Sequence, residues 1–202
     1  RREDGDAAND RYRLYEVAGG AHADAFFYPY IPTVADLRKI GSNFAFLAAW
    51  PFANQCEPEQ LLAKVPINTF VMDAAFANLT RWIKDGVAPP KAERISIEGS
   101  GTPQARVMLD KNGNAVGGYR TPYTDVPSAT YHVSSKGETF CPELGRIEPF
   151  DWARMNALYG TPQNYASKVA QSADRLMKDR FITESDARKV KAETGSVAIR
   201  TN

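Results

Sequence analysis

Residues 13–24, "RLYEVAGGAHAD", decide how the chain is read. From residue 11 to residue 18 the side chains alternate, with Tyr12, Leu14 and Glu16 on one side and Arg13, Tyr15 and Val17 on the other. Apolar groups fall on both sides, the pattern of a strand buried on both faces of an α/β sheet. Gly19 and Gly20 end that strand, and His22 follows at once. A strand fixes the backbone, glycines turn it without strain, and a ring leaving the carboxyl edge of a sheet enters a crevice. That is the placement a general base requires. The same spacing also suits a histidine that only satisfies a structural bond.

The rest of the composition narrows the classes. With 202 residues and a hydrophobic fraction of 43%, the chain can bury a core in one domain or slightly more without a metal. Net charge is +1 with no basic block, so nucleic acid has no electrostatic footprint here. No apolar run approaches about 18 residues, so no membrane span is expected. The opening "RREDGDAAND" lacks both the apolar core of a signal peptide and an initiator Met. It reads as a cut end: processed, trimmed, or continuous with a longer gene product, and Arg1-Arg2 suits proteolytic nicking.

Cys56 and Cys141 are the only cysteines. They form one disulfide or remain two buried thiols. Their spacing matches no zinc pattern, and two histidines with two scattered cysteines make a poor metal set, so neither metal nor cofactor is expected. The cysteine pair leans the compartment towards periplasmic or secreted, with cytoplasmic as the alternative.

Helical signals come later in the chain. Residues 69–85 carry Phe70, Val71, Ala74, Ala75, Leu79, Trp82 and Ile83 at helical spacing, with Asn68 or Thr69 as cap and Gly86 and Pro89-Pro90 as stop. "RISIEG" reads as a short strand. "ARVMLDKNGNAVGGYR" reads as a hairpin turning at Asn112-Gly113. "TPYTDVPSATYHV" reads as an extended edge or ordered loop, because its prolines do not suit a central strand. Asp151 and Thr161 cap two further helices, the second with Pro162 at its first position, and Thr183 with Asp186 forms the capping box of a third.

No G-x-S-x-G elbow occurs; the nearest string, "EGSGT" around Ser100, lacks a strand-to-helix setting. A histidine placed like a base therefore has no nucleophile within these residues. "DKNGN" is no calcium loop, since Ala115 and Thr121 stand where the sixth-position Gly and closing Glu belong. Gly117 and Gly118 suggest a close backbone approach, Arg120 and Asp125 an ion pair, and His132 a structural role.

"YEVAGGAHAD", "NLTRWIKDGVAPPKAERI", "DKNGNAVGGYRTPYTDVPSATY" and "PFDWARMNALYG" together resemble the C-terminal portion of a bacterial alpha/beta hydrolase domain-containing protein. The first string alone fits many hydrolases; the second and third are more distinctive. The resemblance implies an α/β fold: the last core strand and helix of an α/β-hydrolase, an added β-hairpin and a helical tail. The expected division is 1–92 for the hydrolase core with the histidine loop, 93–150 for the hairpin and extended arm, and 151–202 for the helical tail.

In this superfamily chain order is Ser, then Asp or Glu, then His. The resemblance thus makes His22 the triad histidine and puts the nucleophilic serine, and with it the acid, on an N-terminal portion of the same gene product. Asp4 and Asp6 are the only acids near enough to substitute. The implied activity is hydrolysis of small carboxylic esters, absent from these residues alone. Asp24 either supports His22 or caps the next turn. Phe26, Phe27, Tyr28 and Tyr30 either line an apolar pocket or pack the loop. The alternative to a hydrolase is a non-catalytic interaction or lid module with a structural His22.

Overall fold

A computed structural model describes residues 2–23, 34–41, 56–57, 60–63, 65–137 and 141–200. Its regular elements are β1 (Gly5–Ala7), β2 (Asp10–Tyr12), α1 (Val34–Lys39), β3 (Leu61–Leu62), α2 (Ile67–Asp85), β4 (Ile97–Glu98), β5 (Arg106–Val107), α3 (Pro122–Asp125), β6 (Ala129–His132), β7 (Arg146–Pro149), α4 (Trp152–Tyr159), α5 (Pro162–Lys178) and α6 (Glu184–Arg200). Every named strand pairs antiparallel: β1 with β2, β4 with β5, and β3-β7-β6 in a three-stranded sheet. The fold is mixed helix and strand.

The chain divides into two compact units. The first comprises Arg1–Ala18, Ile67–Ser128 and Phe150–Asn202; the second comprises Gly19–Pro66 and Ala129–Pro149. The second unit draws on both the first and the second sequence block, since β7 pairs with β3 on one side and with β6 on the other.

The expected strand over 11–18 is corrected. Only Asp10–Tyr12 is regular, as half of a small hairpin with Gly5–Ala7. Beyond Tyr12 the backbone is held by side chains instead of a ladder. Leu14 donates its N–H to Asp4 Oδ1 at 3.1 Å, and its carbonyl accepts from the Arg94 guanidinium. Tyr15 Oη donates to the Pro90 carbonyl at 2.8 Å, and Glu16 Oε2 accepts from the Ile95 N–H at 2.9 Å. Val17 makes one parallel bridge, to Tyr119. Close approach is built in at Gly117 and Gly118, both at positive φ, where a Cβ would sit 2.4 Å from the Arg94 carbonyl oxygen and 2.7 Å from that of Glu16.

The core of the first unit is helical. α5 contributes Val169, Ala173 and Leu176, and α6 contributes Ala187 and Val190. Ile182 lies between them, and Phe70 of α2 is fully buried among them. The expected caps form: Asp151 Oδ1 accepts from the Arg154 N–H at 2.8 Å, Thr161 Oγ1 from Asn164 at 3.1 Å, and Thr183 Oγ1 from Asp186 at 3.2 Å. The α5–α6 turn puts Arg180 at φ +66, and its carbonyl accepts from buried Asn78 at 2.8 Å.

α2 begins at Ile67, so Asn68 and Thr69 lie inside the helix rather than capping it. Its buried face is Ile67, Phe70, Val71, Ala74, Asn78 and Trp82. Leu79 and Ile83, expected on that face, are exposed. With Met72 and Phe76 they form a second apolar stripe at helical spacing. In the stretch expected as a hairpin, Leu109 and Ala115 make an isolated antiparallel bridge, the strand β5 pairs with β4 instead, and of Asn112 and Gly113 only the glycine has positive φ. The expected edge is β6, preceded by the short helix α3.

The Arg120–Asp125 ion pair is present, Nε to Oδ1 at 2.9 Å, and it is part of a larger cluster. Ser172 Oγ donates to Asp125 Oδ2 at 2.9 Å, and Arg175 donates to the same oxygen. Asp125 thus fastens the α3 arm to α5. Asp125→Ala leaves the buried Ser172 hydroxyl without its acceptor and takes one of three acceptors from the half-buried Arg120, which keeps the Ala115 and Thr124 carbonyls. The expected loss is about 2–3 kcal/mol in urea unfolding; a loss below about 0.5 kcal/mol would show that the cluster does not fasten the arm.

Candidate functional site

His22 belongs to the second unit, between a buried residue and one held by two backbone hydrogen bonds. Ala21 is buried; Ala23 donates its N–H to the Glu143 carbonyl at 3.0 Å and accepts from the Gly145 N–H at 2.9 Å. These bonds make a parallel bridge between Ala23 and Leu144. The imidazole itself points outward, its side chain 77% exposed. A fixed main chain with an accessible ring is the arrangement proton transfer needs.

The group beside the ring is Glu143, whose Oε2 lies 3.4 Å from His22 Nε2. Sequence reasoning missed it. Glu143 ends the 3-10 turn Cys141–Glu143, and that turn reaches His22 only through tertiary pairing of Ala23 with Leu144. No spacing in the sequence announces such a contact. The Glu143 side chain is 51% exposed, so the pair is open to solvent and the carboxylate can swing aside at little cost.

Asp4 and Asp6 both lie in the first unit, and both are engaged by cations there. Asp4 Oδ1 is 2.8 Å from Arg94, and Asp6 Oδ2 is 3.2 Å from Lys91; Arg13 approaches both carboxylates. Burial pushes the Asp4 carboxyl up. The Leu14 N–H bond and the Arg94 and Arg13 guanidiniums outweigh it, so the group sits below the ordinary carboxylate value. A depressed carboxyl stabilises the fold above its unfolded-state value and loses that contribution as pH falls through its folded-state value. The melting temperature is therefore expected to fall as pH drops below about 4, and Asp4→Asn to flatten that limb. An unchanged acid limb in Asp4→Asn would contradict this.

Cys56 and Cys141 are bonded, with Cα atoms 5.4 Å apart. Asp24, Phe26, Phe27, Tyr28 and Tyr30 lie outside the described residues. His132 stands on β6, its Nε2 3.1 Å from Glu148 Oε1, and Arg146 contacts the same oxygen. The Arg146 and His132 bonds hold the Glu148 carboxyl below its ordinary value. This is a cross-strand surface cluster on β6 and β7.

In the first unit a cleft of about 310 Å³ is lined by Lys91, Tyr119, Arg120, Asp125, Arg175 and Phe181. Of its charged groups, Arg120 and Arg175 pair with Asp125, and Lys91 with Asp6. Among the described residues no three His, Cys, Asp or Glu side chains gather as a metal site. No helix among them is long and apolar enough to cross a membrane.

Comparison with known proteins gives one family. A family profile described as an alpha/beta hydrolase domain matches residues 1–192. No curated protein and no solved structure matches the chain.

Proposed function

The chain belongs to the alpha/beta hydrolase domain family, and from that premise we propose that it supplies the general-base histidine of a serine hydrolase. The base is His22. The nucleophilic serine, its oxyanion donors and the triad acid come from an N-terminal portion of the same gene product. The substrate is a small carboxylic ester. One observation carries the assignment: His22 presents an exposed imidazole from a backbone hydrogen-bonded directly after it.

The chemistry runs in two halves. His22 Nε2 takes the serine proton as Oγ attacks the ester carbonyl, and the imidazolium returns it to the leaving alcohol. Water then repeats the cycle and frees the acid. Because Nε2 must face the hydroxyl, Glu143 has to leave that atom when the serine arrives. An acid at Nδ1 holds the ring during transfer. The chain has no G-x-S-x-G stretch, which supports placing the nucleophile elsewhere. The stripe Met72, Phe76, Leu79 and Ile83, left in water here, supports a further polypeptide packing on α2, and we assign it to the serine-bearing portion. The disulfide supports a periplasmic or secreted location.

The rival reading, an interaction or lid module with a structural histidine, is favoured by one feature: Glu143 sits at the atom that catalysis needs. Ester assays on the isolated chain and on the chain joined to the serine-bearing portion separate the two. Turnover only in the joined protein supports the hydrolase. Turnover by the isolated chain contradicts the division of the triad, and turnover by neither favours the module.

A further inference from the structure

The bond between Cys56 and Cys141 lies close in sequence to the segment that holds His22. Cys141 opens the turn that ends at Glu143. The Glu143 carbonyl and the Gly145 N–H, on either side of Leu144, make the two backbone bonds to Ala23. Gly145 is wedged tightly: a Cβ there would lie 2.8 Å from the Ala21 Cβ and 3.2 Å from the Ala63 Cβ. At the other end of the disulfide, Cys56 bridges Gly137. Glu57 donates its N–H to the Lys136 carbonyl at 3.2 Å, and the Gln60 amide bonds the Lys136 main chain in both directions, at 2.7 and 2.6 Å. The 141–145 turn is thus tied covalently to an anchored segment, and the His22 loop is tied to the turn.

We infer that Cys141, through its bond to Cys56, is a positioning residue for His22, so that the redox state of the pair sets whether the histidine loop is held. The inference rests on the reading of His22 as the base. It adds to that reading a control acting through Ala23 rather than on the ring. Opening the clamp is a balanced two-electron step. A dithiol reductant such as dithiothreitol gives two electrons and two protons to the Cys56–Cys141 bond, leaving two thiols and its own cyclic disulfide. The strands β6 and β7 are paired over four residues, and that pairing is expected to outlast the bond.

Nuclear magnetic resonance of the 202-residue chain tests the clamp without reference to activity. In the oxidised chain, contacts from the Ala23 amide to Leu144 and Gly145 are expected, with a distinct His22 ring signal. Dithiothreitol is expected to erase those contacts and move the ring signal towards that of a free peptide, while Tyr131–Ile147 contacts across β6 and β7 persist. Reoxidation restores the oxidised spectrum, and the double variant Cys56→Ala, Cys141→Ala matches the reduced one. Persistence of the Ala23 contacts on reduction would overturn the inference. Loss of the β6–β7 contacts as well would also overturn it, because the bond would then hold the whole unit.

In the joined hydrolase, serine labelling by a fluorophosphonate is expected to slow at least about tenfold on reduction and to recover on reoxidation, as misplacing a reacting group does. An unchanged labelling rate would overturn the inference. Labelling that survives His22→Ala would instead end the underlying reading and leave the clamp spectra as they are.

Discussion

Replacing His22 with alanine in the joined hydrolase is expected, on the proposed function, to lower kcat/KM on a p-nitrophenyl ester by about 10⁴-fold or more and to leave the melting temperature unchanged. The size follows from what is lost. Without a base at the serine hydroxyl, neither acylation nor deacylation has a proton acceptor, and members of a triad fail together rather than in shares. The stability side follows from exposure: the His22 side chain is 77% exposed beside the exposed Glu143, and the backbone bonds of Ala23 survive its truncation. Surface substitutions of this kind usually stay within about 0.5 kcal/mol. Kinetics and a thermal scan on the same preparation check both halves. A drop in turnover accompanied by a large drop in melting temperature would return His22 to a structural role.

The second large effect is in the first unit. Phe70→Ala removes a fully buried ring from the point where α2 meets α5 and α6. Its ring centroid is 5.9 Å from that of Tyr123, and Val169, Ala173 and Val190 belong to the same cluster. Lost transfer energy and the cavity add, and the expected cost is about 3–5 kcal/mol. Urea unfolding followed by circular dichroism measures it. Phe70→Leu keeps most of the volume and is expected to lose less. A loss below about 1 kcal/mol in Phe70→Ala would mean that this cluster is not what holds the helices together.

Local chemistry made the helical third legible. A cap needs only a side-chain oxygen and an N–H three residues on, so Asp151, Thr161 and Thr183 announce their helices without tertiary information. α2 shows the limit of periodicity. Its sequence has two apolar stripes, and spacing alone cannot say which one faces the core; Leu79 and Ile83 fall on the outer one. Residues 13–16 failed for another reason. Their alternation matched a buried strand, but their backbone partners are Asp4, Arg94 and neighbouring irregular chain, distant in sequence and of no fixed spacing. At the proposed site, His22 stands out in the sequence because glycines and a turn mark it. Glu143 was invisible because a bridge between Ala23 and Leu144 delivers it.

Fluorophosphonate labelling of the joined hydrolase, mapped by mass spectrometry in the wild type and in His22→Ala, tests the central claim most directly. The expected result is one labelled serine, outside these 202 residues, whose labelling disappears with the imidazole. A label that forms equally well in His22→Ala, or no serine labelled in either protein, would contradict the account.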